Sequence, residues 1–62
     1  MFYPSHAAWD MRDALCGMEV RHHGAWKVVK RVIVSPNRNA YAIVFVDGSM
    51  LDMSSYCDFE TR

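Results

Sequence analysis

The chain has no apolar stretch approaching the roughly 20 residues that a membrane-spanning helix requires. It also has no positively charged leader followed by an apolar segment and a small-residue cleavage site. The expectation is a cytoplasmic protein. Glycine is confined to Gly17, Gly24 and Gly48, each standing alone at a turn, which excludes the glycine-rich loops that cradle phosphates. Cysteine occurs twice, as Cys16 and Cys57, with no close pair of the kind that opens a structural zinc site. Cys16, His22, His23 and Cys57 supply ligand atoms of the right type. However, His22 and His23 are neighbours, and neighbours on a strand point to opposite faces, so no metal and no cofactor is expected. In a reducing compartment the two cysteines read as ordinary buried thiols; the alternative is a bridge tying the helix end to the C-terminal segment. No nucleophile motif surrounds either thiol, and so small a domain has little room for a substrate pocket, so the chain does not read as an enzyme.

Acid is missing from the middle of the chain. Residues 20–40 hold five cations, Arg21, Lys27, Lys30, Arg31 and Arg38, and no Asp or Glu, although the whole sequence carries seven of each sign and no net charge. The molecule should therefore be dipolar, basic on one hairpin and acidic elsewhere. Such a local field suits an acidic partner even without a net positive charge.

What the sequence does hold is apolar material in a short chain. At 62 residues it makes one domain, spanning 1–62, and 52% of it is hydrophobic. A domain of this size buries only about 60% of what its unfolded chain exposes, so apolar surface is left for a partner or a second copy. Pro4 and Ser5 open a helical stretch over 5–16, with Ser5 as cap. Ala8, Met11 and Leu15 recur at helical spacing, Asp10 and Asp13 lie opposite, and Gly17 is the stop. Trp9 lies off the centre of the apolar stripe and is a candidate contact for something outside the fold.

From 17 to 62 the texture is short β-rich runs at residues 18–22, 26–34, 41–46 and 49–53, an antiparallel meander with a closing strand around 56–59. The run 26–34 does not alternate cleanly. Trp26, Val28, Val32 and Val34 share one parity and Lys27, Val29 and Arg31 the other, so a bulge or bend near Val29 and Lys30 is expected. At Asp47-Gly48 a three-residue turn with a glycine bulge pairs Phe45 with Ser49, Ile43 with Leu51 and Tyr41 with Met53. That register puts Tyr41, Ile43, Phe45, Leu51 and Met53 in the core and Asp52 outside. A two-residue turn would instead bury the Asp52 carboxylate.

The signals Gly17-Met18-Glu19-Val20, Ala25-Trp26-Lys27-Val28 and Tyr41-Ala42-Ile43-Val44-Phe45-Val46-Asp47-Gly48 together resemble the Tudor-like branch of SH3-like barrels, over residues 17–53. The resemblance implies a mainly β fold, a small SH3-like antiparallel barrel of about five strands behind one short N-terminal α-helix. Tudor-like domains often bind methylated Lys or Arg through an aromatic cage. Trp26 and Tyr41 match cage positions, with barrel core or rim as their other reading.

The functional expectation is a small non-catalytic binding or regulatory module that docks on another macromolecule. A protein partner is favoured, as for the accessory or inhibitor proteins that phages and plasmids carry. The alternative is a nucleic-acid-binding barrel using the basic hairpin, with an aromatic ring as a stacking platform. The candidate contact residues are Trp9, Arg21, Trp26, Lys27, Lys30, Arg31, Arg38 and Tyr41. A homo-oligomer stays open and no membrane is expected.

Overall fold

Two turns set the register of the sheet, and the sequence specifies both chemically. The structure, a computed structural model, describes residues 1–35, 40–53 and 58–62, and only the backbone of Ala40 and Tyr41. In the first turn His22 pairs with Ala25 across His23 and Gly24, both at positive φ (52° and 79°). Two such residues in succession make the turn whose twist matches that of the flanking strands. In the second, Gly48 takes φ 91° and donates its N–H to the Phe45 carbonyl (3.0 Å), while the Phe45 N–H reaches the Ser49 carbonyl (2.9 Å). This is the three-residue turn with a glycine bulge, and Ile43 faces Leu51 as that register requires.

The strands so joined are β2 (Glu19–His22), β3 (Ala25–Val34), β4 (Ala40–Phe45) and β5 (Met50–Asp52), paired antiparallel in sequence order as a curled half-barrel. A register shift between Val29 and Arg31 leaves Lys30 as an extra residue on β3, the bulge that the broken alternation of 26–34 anticipates. The bulge reverses parity along the strand. Before it Val29 is buried opposite Phe45; beyond it Val32 faces Ile43 and packs on the core. Lys27, Val29 and Arg31 therefore do not share a face, despite equal spacing.

A strand the sequence did not announce, β1 (Phe2–Tyr3), pairs with β6 (Phe59–Glu60) as a separate two-stranded ribbon. An isolated bridge between Val20 and Thr61 joins this ribbon to β2. The expected closing strand is thus realised at Phe59, with β1 as its partner, and Tyr56 lies outside the described residues.

The expected single helix over 5–16 is two helical turns, α1 (Ala7–Asp10) and α2 (Arg12–Leu15), broken at Met11 (φ −96°, ψ 5°). At the break the Arg12 guanidinium folds back to donate to the Trp9 carbonyl (2.7 Å) and lies 3.3 Å from the centre of the Trp9 ring. Ser5 is not a side-chain cap. The carbonyls of Pro4, Ser5 and His6 accept the N–H groups three residues on, at 3.0, 3.1 and 3.4 Å, so backbone bonds of 3₁₀ type tighten the first turn instead. Gly17 ends α2 at φ 89° and ties it to the sheet through its N–H to the Val29 carbonyl (2.9 Å).

Ala8 and Leu15 of the helical turns pack with Val20, Val29, Ile43, Phe45, Met53 and Phe59 in one buried cluster. Leu51 packs against it and Asp52 is exposed, as the chosen register requires. The Tyr41 side chain lies outside the described residues. Cys16 is a free thiol and is exposed, not buried, because it sits at the end of α2 beyond the buried Leu15; Cys57 lies outside the described residues.

Candidate interaction surfaces

The inward positions of the sheet define its outer face by difference. Val20 and His22 on β2, Val29 on β3, and Ile43 and Phe45 on β4 are buried. Their neighbours point to the opposite face, where the small Ala42 is nevertheless covered. Arg21 lies across from Trp26, Glu19 from Val28, and Arg31 from Val44, which in turn faces Met50. Val28, Val46 and Met50 are strongly exposed for apolar residues, at 39%, 62% and 49%. Lys30, in the bulge, and Arg31 beside it are both exposed, and neither forms an ion pair among the described residues. The outer face is therefore apolar in patches and positively charged at the bulge.

Trp26 is half-buried on this face and already carries cations. The Arg62 guanidinium carbon lies 4.7 Å from its ring centre and that of Arg21 5.9 Å away. Arg62 is held there by an ion pair to Glu19 (3.1 Å). This arrangement uses the ring for internal cation–π packing. With the Tyr41 side chain and Arg38 outside the described residues, no aromatic cage is assembled among those described.

Lys27 is not part of the outer band. Its position opposite Val20 turns it to the core side of the sheet, where its ammonium reaches the Ser49 hydroxyl (2.9 Å) and the Asp47 carboxylate (3.3 Å). The same Asp47 accepts from the Ser49 hydroxyl (2.6 Å) and the Ser49 N–H (2.9 Å). These bonds, those of Ser49 first and Lys27 after them, lower the Asp47 carboxyl to about 2. The acid is thus ionised at neutral pH, and the Lys27 contact latches the turn.

His22 lies beneath this latch. It is 8% exposed, its ring is 4.1 Å from that of His23 and 5.1 Å from that of Phe45, and its Nδ1 is buried with no hydrogen-bond partner among the described residues. Burial holds its pKa below the ordinary imidazole range, reinforced by His23 and Lys27 and opposed by Asp47. The folded state therefore binds a proton less readily than the unfolded chain. Stability should be greatest above about pH 6.5 and fall as the pH drops through that value toward the folded pKa. Denaturant unfolding at a series of pH values checks this. The loss should shrink in His22→Leu, which carries no imidazole, and an unchanged slope in that variant would refute the assignment.

A groove of about 520 Å³ runs along the open seam of the half-barrel. Its walls are the end of β2 with the first turn (residues 21–23), β5, and residues 58–60, with Phe2 at its mouth. The sequence did not single out this place. Its walls come from opposite ends of the chain, and the pairing of Phe2 with Glu60 that closes it has no local signal.

Trp9 packs partly against the core under Arg12 and so is less available than its position off the apolar stripe implied. The Cys16 Sγ bonds the Arg12 carbonyl (3.5 Å). Among the described residues no three His, Cys, Asp or Glu side chains converge as a metal site would need, and no helix is long and apolar enough to cross a membrane. No protein-family model matches the chain, and no curated protein or solved structure matches it.

Proposed function

We propose that this protein is a small non-catalytic binding module, of regulatory or inhibitory type, that docks on an acidic surface of a partner protein. The observation that carries the reading is the adjacent pair Lys30 and Arg31, exposed at the β3 bulge without a compensating acid among the described residues. The exposed Val28, Val46 and Met50 share the outer face with Arg31. Cations beside exposed apolar side chains suit a protein surface, where the charges steer encounter and the apolar contacts hold the complex. The half-barrel supports an SH3-like reading of the architecture, and the Tudor-like branch is the form we favour. The cytoplasm is the compartment that fits a free, exposed Cys16. The test is capture of a partner followed by charge reversal at Lys30 and Arg31, with oligonucleotides at two salt concentrations as the competing ligand. Tight oligonucleotide association that weakens steeply with salt would replace the protein partner by nucleic acid.

A further inference from the structure

The seam groove is separate from the basic bulge and differs from it in charge. Among the described residues, Asp58 and Glu60 line it alongside Asp52, with one guanidinium, that of Arg21, which leans toward the Trp26 ring at 5.9 Å. His22, whose pKa is lowered, adds no positive charge at neutral pH. Phe2, 72% exposed, and Met50, 49% exposed, supply apolar surface beside the acids. One wall is also a sheet edge, because β5 ends the sheet and no described strand pairs with its far side. Phe45 and Ser49 form a hydrogen-bonded pair, so the next pair, Val44 and Met50, is not hydrogen-bonded across the ladder. The Met50 N–H and C=O therefore point away from β4, and Met50 lines the groove. An edge of this kind accepts an added strand, with main-chain bonds giving affinity and the side chains along the groove giving selectivity.

We propose that the groove receives an extended, arginine-bearing segment of a partner protein, which pairs with the edge of β5 at Met50 and sets a guanidinium against Asp58 and Glu60. Asp58 and Glu60 flank the buried Phe59 and both line the groove, so one planar, two-sided donor can engage them together. The apolar rim at Phe2 and Met50 receives the neighbouring side chains of the segment. The site shares Met50 with the outer face, but Lys30 and Arg31, which carry the outer-face reading, do not line it.

The test uses the full chain and a fluorescein-labelled, acetylated pentapeptide alternating valine and arginine, followed by fluorescence anisotropy. Saturable binding is expected, with loss of binding when glutamate replaces arginine or when proline replaces the central residue and removes its strand hydrogen bond. The double variant Asp58→Asn and Glu60→Gln, at an exposed and a half-exposed position, should fold as the parent does by circular dichroism. It should bind the peptide about tenfold or more weakly, the loss expected for two charge-assisted contacts. Equal affinity for the glutamate peptide, or undiminished affinity in the double variant, would overturn the proposal. A dimer seen in sedimentation that the double variant dissolves would assign the groove to a second copy, and would overturn it too. Lys30→Glu with Arg31→Glu should leave peptide binding in place, so failure of the outer-face reading and failure of this one are distinguishable.

Discussion

Phe45→Ala should cost about 3–5 kcal/mol, the range for deleting a buried aromatic ring, and leave the protein largely unfolded at room temperature. Phe45 is fully buried at the centre of the core cluster. Its ring packs against His22 at 5.1 Å, and the Lys27 ammonium lies 5.8 Å from its centre. Removing it leaves a cavity bounded by strands already fixed by their turns, so the walls have little freedom to collapse. A domain this small sits toward the low end of the roughly 5–15 kcal/mol typical of folded proteins, so the loss approaches its whole margin. Val46→Ala, next in sequence but 62% exposed, should stay within about 0.5 kcal/mol of the parent. Urea unfolding followed by circular dichroism measures both. A Phe45→Ala protein with an unshifted midpoint would show the core to be centred elsewhere.

The joint change Lys30→Glu and Arg31→Glu should slow association with a captured acidic partner by about tenfold or more at low salt, with the fold intact. Both side chains are exposed and outside any described ion pair, so reversal removes no internal contact. The effect should shrink as salt is raised, because exposed charges are screened over about 8–10 Å at physiological ionic strength. Lys27 is left out deliberately. Its ammonium holds Asp47 and Ser49, so reversing it would place two carboxylates together at the turn and report on stability instead. Surface-based kinetics of wild type and double variant, at two salt concentrations, checks the expectation. Equal association rates at low salt would show that these cations only solvate the outer sheet.

What could be read from the sequence was whatever depended on neighbours. Gly48 with Asp47 before it settled the β4–β5 register, because the competing turn would have buried Asp52. The broken alternation around Lys30 announced the bulge, since a regular strand would have placed apolar residues on both faces. The same bulge divides the basic segment between two faces. Parity counted through it groups Lys27 with Arg31, whereas the extra residue sends Lys27 inward and Arg31 outward. The helix break at Met11 was hidden because no residue there opposes helix, and the visible agent is the Arg12 side chain turning back on Trp9. The β1–β6 ribbon and the groove it walls depend on residues at opposite ends of the chain, where periodicity carries no information.

The clasp between those ends has a kinetic meaning. The Met1 ammonium donates to the Thr61 carbonyl (2.7 Å) and the Thr61 N–H returns to the Met1 carbonyl (2.8 Å). Closing a loop of that length costs roughly 3 kcal/mol more in chain entropy than closing a two-residue turn. The hairpins can therefore assemble early and cheaply, while the clasp follows them. Phe59, between Asp58 and Glu60, is buried in the core cluster, so this wall of the seam is anchored by core packing as well as by the clasp. The acidic groove is in this sense a late feature, complete only once the two ends of the chain have met.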